Sequence, residues 1–223
     1  MYDVQLQPEE PAAGPWHAGT HEELLADLLA GTSLDGRPAI VAVDGRSGAG
    51  KSTLADALAR VGEADILHTD DFAWHEPMFE WAPLLRGALT ELRRTGALDY
   101  TPPAWVERGR TGSVVVPPGA RLVVVEGVGS SQRAVADLID AAVWVQSDDA
   151  EAERRGIARD IADGVNGDEQ ASTAFWFEWI AEERPFLAAD RPWERADAIV
   201  AGTPVAEAPP GALAWSRGRL AGT

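Results

Sequence analysis

Eight consecutive residues, Gly45-Arg46-Ser47-Gly48-Ala49-Gly50-Lys51-Ser52, constrain this chain more than any other stretch. Their pattern, G-x-x-x-x-G-K-[ST], is one with which a backbone wraps an anion, because the glycines permit a turn whose successive N–H groups converge on a phosphate. Lys51 adds a mobile positive charge for the outer phosphates, and the Ser52 hydroxyl is a candidate Mg2+ ligand. The flanks separate such a loop from an ordinary glycine-rich turn. Residues 38–43, Pro-Ala-Ile-Val-Ala-Val, form a short apolar run suited to a buried parallel strand. Residues 53–60 leave as an amphipathic helix with Leu54 and Leu58 on one face. Strand, loop and helix follow in the order that points a helix N-terminus at the anion. Gly45, Arg46, Ser47, Gly48, Ala49, Gly50, Lys51, Ser52 and Thr53 are therefore the expected nucleotide-binding residues, with ATP and Mg2+ as the expected cofactors.

The 223 residues suit one α/β domain with a substantial core, and no repeat is visible. No apolar run approaches the roughly 20 residues of a membrane span. The first residues lack the basic start and apolar stretch of a secretion signal. Zero cysteines exclude disulfides, thiolate metal sites and a thiol nucleophile. These features fit a cytoplasmic enzyme. A formal charge of −17 argues against nucleic-acid and acidic-membrane partners, which require a basic surface. An acidic exterior also repels a triphosphate at long range, so the loop must create a local positive basin. Lys51 is the only lysine; the other 18 cations are arginines.

Strands and helices alternate along the chain. Residues 1–19 carry three prolines and read as an irregular or loosely packed arm. A helix is expected from His21 to Ala30, with Thr20 as its N-cap. A strand follows at Ala64–His68, a helix at Pro83–Arg94, and an edge strand at Val114–Val116. Further strands are expected at Arg121–Val125, Ala141–Gln146 and Ala196–Val200, and helices at Asp148–Ala162 and Asp168–Leu187. Such alternation implies a parallel sheet covered on both faces, with ligands outside the carboxyl ends of its strands. Residues 203–223 are Pro- and Gly-rich and read as an irregular tail.

Three further groups fall at strand ends beside the loop. Glu126 closes an apolar strand, where a carboxylate facing a metal or holding water belongs. Asp70 and Asp71 end the neighbouring strand, and one of them could take or orient the proton of an acceptor hydroxyl. Asp70 is the expected catalytic member, and Asp71 reads as a loop-stabilising residue. His68 reads as a buried strand-end residue. Arg155 and Arg159 lie four apart on one helix face, where two guanidinium groups could neutralise a transferring phosphoryl. Arg154 reads as part of a solvated face, and residues 164–168 as a hinge or lid tip. Phe72, Trp74, Trp81 and Trp105 come from loops on the acceptor side, where aromatic faces could sandwich a flat substrate or simply fill the core. Trp176 and Trp179 have the spacing of packing residues on a helix.

These residues resemble the uridine kinase-like group of P-loop kinases, which includes nicotinamide riboside kinase, phosphoribulokinase and bacterial-type pantothenate kinase. The resemblance rests on Val43-Asp44-Gly45 through Thr53, Asp70-Asp71-Phe72, Val125-Glu126-Gly127, Arg155 with Arg159-Asp160, and the closing Ala196–Val200 segment. It implies a P-loop NTPase fold with a five-stranded parallel sheet flanked by helices. Residues 20–202 would form the kinase domain, with an acceptor-side insertion at about 72–118 and a lid at about 150–170. It further implies Asp70 as the acceptor-activating carboxylate, Glu126 as a metal-side carboxylate, and Arg155 and Arg159 as lid cations. Together with the reading of the residues, the expected catalytic residues are Asp70, Lys51, Arg155 and Arg159, the expected metal ligands Ser52 and Glu126, and the expected acceptor contacts Asp70, Phe72, Trp74 and Trp105. Departures lie on the acceptor side. Ala73 stands where nucleoside kinases of the group carry tyrosine, and Pro103-Ala104-Trp105-Val106 lacks the Tyr and Asp of their P-x-Y-D segment. The stretch after the lid helix has no arginine.

The resulting expectation is an ATP-dependent kinase acting on a hydroxyl of a nucleoside-like or specialised metabolite, with homodimerisation left open. The competing expectation is a nucleotide-binding regulatory or assembly ATPase without a small-molecule acceptor. A GTPase is disfavoured because a lone lysine at position 51 leaves none for an N-K-x-D motif.

Overall fold

The computed structural model describes residues 4–32, 36–209, 211–218 and 220. Parts of the expected arm and tail (1–3, 210, 219 and 221–223) lie outside the described residues. The chain opens with a three-residue strand, β1 (His17–Gly19), and helix α1 (His21–Leu29). Thr20 caps α1 as its position predicts, and Glu23 returns a bond to the Thr20 N–H, completing a capping box. β2 (Ala39–Gly45) is buried along its whole length and runs through the phosphate-loop sequence into α2 (Lys51–Gly62). β3 (Asp65–His68), the short α3 (Thr69–Ala73) and α4 (Ala82–Thr95) follow, and α4 stops where Gly96 adopts a left-handed conformation. β4 (Leu98–Tyr100), α5 (Pro103–Glu107) and β5 (Val114–Val116) form a small excursion. The chain then returns through β6 (Leu122–Glu126), β7 (Ala141–Gln146), α6 (Asp149–Asp163), α7 (Glu169–Asp190), β8 (Ala198–Ala201) and β9 (Leu213–Arg217).

The main sheet has the order β1-β9-β8-β7-β2-β6-β3. Its five inner members, β8-β7-β2-β6-β3, are mutually parallel. The sheet has seven strands rather than the expected five, because β9 adds antiparallel to β8 and β1 adds antiparallel to β9. Both additions come from segments expected to be irregular. Their strands are only three and five residues long and sit among prolines and glycines, too short for a hydrophobic period to register. Trp215 secures them: it is fully buried and its ring meets His17 edge-on at 4.5 Å. The expected edge strand at Val114–Val116 exists but pairs with β4 as a separate two-stranded ribbon.

Both faces of the sheet are covered, so successive side chains of one strand enter different cores. Val41 and Val43 of β2 face α1 and α2 and pack with Leu24, Leu54 and Leu58. Ile40 points the other way, with Val123 and Val125, to Leu85, Leu89 and Leu92 of α4 and to Phe72, Trp81 and Trp105. A third cluster joins Trp144 and Ile199 to Leu187 of α7 and Trp193. Each fully buried leucine of this kind contributes about 1.5–3 kcal/mol relative to exposure. The consequence for function is positional: β2, β6 and β3 end side by side. No helix among the described residues is long and apolar enough to cross a membrane.

Candidate active site

The register of the parallel strands assembles the site. Val43 pairs with Glu126 across β2 and β6, and Glu126 pairs with His68 across β6 and β3. The phosphate loop therefore leaves β2 next to the carboxylate that ends β6. Glu126 accepts a hydrogen bond from Ser52 Oγ at 3.1 Å through one oxygen and lies 2.8 Å from His68 Nδ1 through the other. Burial pushes the Glu126 carboxyl up, but the His68 bond, the Lys51 charge and the Ser52 hydroxyl outweigh it, and the net pKa is lowered. The bond to Glu126 holds the His68 imidazole above its usual pKa, against the opposing effect of burial. His68 is not the buried residue expected: half of its side chain is open, because β3 is the sheet edge.

Asp70 occupies the first turn of α3 directly after β3. Its rim is open to solvent, yet restricted hydration, and then the Glu126 charge, raise its pKa; Lys51, Arg159 and His68 partly offset this. Gly127 makes this proximity possible. It has a φ of +137°, and a Cβ there would lie 1.8 Å from Thr69 Oγ1, so only glycine lets the end of β6 pass the start of α3.

The loop itself is closed by Lys51, whose Nζ donates to the Arg46 carbonyl at 2.9 Å. α2 begins at Lys51 without a side-chain cap, which leaves its first N–H groups for an external anion. Together with the Ser52 hydroxyl and the Glu126 carboxylate, both oxygen donors, this set fits a Mg2+-bound triphosphate. Gly48 has a φ of +75° and lies against α6, where a Cβ would approach the Ala152 carbonyl to 2.0 Å. Asp44, fully buried beneath the loop, accepts from the N–H groups of Gly45, Gly129 and Ser131 and from Ser131 Oγ. Burial raises its pKa against those bonds. It ties the segment after β6 to the phosphate loop.

The two arginines expected to act together are divided. Arg159 contributes its charge at Asp70 and pairs with Asp160 at 2.7 Å. The Arg155 guanidinium instead donates to Ser147 Oγ at 2.9 Å and to the Gly202 carbonyl at 3.0 Å, fastening α6 to the ends of β7 and β8. Arg154 pairs on the surface with Glu151, as expected.

The aromatic residues are divided as well. Phe72 is fully buried and stacks on Tyr100 with centroids 5.8 Å apart. Trp81 and Trp105 are buried in the same core. The Trp105 indole donates to the Asp71 carbonyl at 3.0 Å, and the Arg110 guanidinium covers its ring at 3.4 Å. Arg110 also pairs with the Asp71 carboxylate at 2.7 Å, which gives Asp71 the stabilising part expected of it. Neither Phe72 nor Trp105 presents a free face to a flat substrate. Trp74 is partly buried against the same core and partly exposed, with Arg110 5.3 Å from its ring centroid.

Sequence reasoning overlooked two buried acids at the loop. Glu10, from the arm expected to pack loosely, pairs with Arg46 and accepts from Trp144 Nε1 at 2.7 Å and Gln146 Nε2 at 3.0 Å. Arg46 pairs on its other side with Asp149 at 2.7 Å. Glu183 of α7 accepts from the Ser47 N–H and hydroxyl. No local pattern marks either acid, since their partners lie 36 and 136 residues away.

Comparison with known proteins places this architecture. No family model and no curated protein matches the sequence. Solved structures do match. A candidate fructose transport system kinase from Silicibacter sp. TM1040 superposes with a TM-score of 0.57 at 21% identity, covering 76% of this chain and 95% of that one. D-glycerate 3-kinase from Cryptococcus neoformans var. grubii gives 0.52 at 15% identity over 81% and 92%. A candidate uridine kinase from Bacillus stearothermophilus gives 0.51 at 16% identity over 80% and 96%. The chain has the fold of the uridine kinase-like P-loop kinases.

Proposed function

We propose that this protein is an ATP-dependent kinase that transfers the γ-phosphoryl group to a hydroxyl of a small metabolite. The observation that carries the reading is the convergence, at three adjacent strand ends, of the lysine-bearing loop, the Ser52–Glu126–His68 chain and Asp70. Phosphoryl transfer requires a triphosphate cradle, charge neutralisation and an oriented acceptor, and each requirement has a candidate here. The loop N–H groups and Lys51 hold the β- and γ-phosphates, with Thr53 in the first turn of α2 beside them. Ser52 and Glu126 hold Mg2+, which neutralises charge on the phosphate oxygens when bound. Asp70, its pKa raised by its surroundings, is the residue assigned here to take the proton of the acceptor hydroxyl. Arg159 supports the charge that builds on the transferring group. Trp74 is the aromatic residue left to touch the acceptor.

The names of the structural neighbours suggest sugars, nucleosides and sugar acids as the first acceptors to try. The deciding experiment incubates the protein with ATP, Mg2+ and pooled acceptors of those classes, plus amino acids and vitamin precursors. A mass gain of one phosphoryl group on one compound is expected. ATP loss without any phosphorylated compound would favour a regulatory ATPase instead.

A further inference from the structure

A phosphate loop works by presenting its N–H groups inward, so whatever orders its backbone before an anion arrives must act from outside. α7 supplies such a contact. Glu183, only 2% exposed, accepts from the Ser47 N–H at 3.0 and 3.2 Å with its two oxygens and from Ser47 Oγ at 2.6 Å. Trp179, one turn earlier, donates its indole N–H within 2.9 Å of the same carboxylate and of Ser47 Oγ. The Trp179 ring is itself wedged against Phe79 at 5.0 Å, and Phe79 stacks on Phe186 at 4.3 Å. The carboxylate is therefore fixed before it meets the loop.

The neighbouring cavity is lined by Arg46, Ser47, Trp176, Glu183 and Arg184 but by none of Lys51, Ser52, Asp70 or Glu126. Glu183 thus meets the loop from α7, beside the point where α6 packs on Gly48. A buried carboxylate is a weak way to gain stability, because its desolvation offsets much of what its bonds return. It is a good way to fix a backbone N–H, since a charge-assisted acceptor sheltered from water has few competitors.

We propose that Glu183 is a positioning residue that presets the phosphate loop by clamping Ser47 from outside, a role that rests on the nucleotide-binding reading above. Its signature is a loss of triphosphate affinity out of proportion to any loss of fold. The test measures ATP·Mg2+ binding by calorimetry, and thermal unfolding without nucleotide, for the full chain and for Glu183→Ala, Glu183→Gln, Trp179→Phe and Lys51→Ala. Glu183→Ala is expected to weaken ATP·Mg2+ at least about tenfold, with the nucleotide-free unfolding temperature moving by only a few degrees. Glu183→Gln keeps an acceptor oxygen and is expected to bind within about threefold of the parent.

Unchanged affinity in Glu183→Ala overturns the proposal. So does a Gln variant as weak as the Ala variant, because acceptor geometry would then not be the operative property. A Gln variant that binds more tightly than the parent also overturns it, showing the carboxylate to be a competing anion. Should the alanine chain fail to fold, Trp179→Phe carries the test: about threefold weaker binding is expected, and parental affinity overturns the proposal. Lys51→Ala separates the two levels. If it binds ATP·Mg2+ as well as the parent, the nucleotide reading itself fails; if it loses binding while Glu183→Ala does not, only the clamp fails.

Discussion

The proposed phosphate side and the proposed acceptor side of the cleft are built on opposite plans. On the phosphate side, one short loop is held by its own Lys51, by Glu126 of β6 and by Glu183 of α7, with His68 of β3 behind Glu126. On the acceptor side, three of the four aromatic residues that could have formed a binding surface, Phe72, Trp81 and Trp105, are turned into the core, and Trp74 alone of the four stays partly exposed. Phe72 stacks on Tyr100, and Trp105 lies under Arg110. The contrast teaches that directed polar contacts order the first region and apolar packing orders the second, with Asp70 at the seam between them.

That contrast can be broken by experiment, beginning with the seam. Asp70→Asn should cut transfer to an acceptor by about 10²–10⁴ while leaving ATP·Mg2+ binding in place, as expected for loss of a general base. Equal losses in binding and transfer would move Asp70 to the phosphate side. Trp105→Ala should cost about 3–5 kcal/mol of stability in denaturant titration, because it empties a core position and strips a partner from Asp71. A stable variant with impaired acceptor affinity would restore Trp105 as a binding surface. Lys51→Ala should lower phosphoryl transfer by about 10²–10³ with the fold intact, since it removes preorganised charge rather than packing. Arg159→Ala and Arg155→Ala sharpen the same line: kcat should fall about tenfold for the first, measured at saturating ATP. The second should instead lose about 1–2 kcal/mol of stability by freeing Ser147 and the Gly202 carbonyl. Smallest of all, Trp74→Ala should cost about 1 kcal/mol of stability, less than Trp105→Ala because the ring is only partly buried, and should raise the KM for acceptor.

Legibility in the sequence followed the length scale of each interaction. The phosphate loop, the Thr20 cap and the five parallel strands were readable because their signals lie within a few residues. β9 escaped because its five residues carry almost no period, although Trp215 alone fills a fully buried position. At the site, Ser52, Glu126 and Asp70 were placed by the rule that strand ends converge, and they do meet. Arg155 could not be separated from Arg159 by spacing, since the choice was made by Ser147 and Gly202 on other strands. Glu10 and Glu183 carry no mark in their own surroundings, because what defines them is the loop they reach.

The closure of that loop by Lys51 has a practical consequence. The chain holds no other lysine, so the amine that reaches across to the Arg46 carbonyl is the only primary amine on any side chain. Amine-directed acylation therefore reads a single functional position apart from the α-amino group. A lysine-specific protease has one cleavage point in the polypeptide, between Lys51 and Ser52, inside the first turn of α2. Occupancy of the loop could then be followed on unlabelled protein, as protection of one atom from one reagent and of one peptide bond from one enzyme.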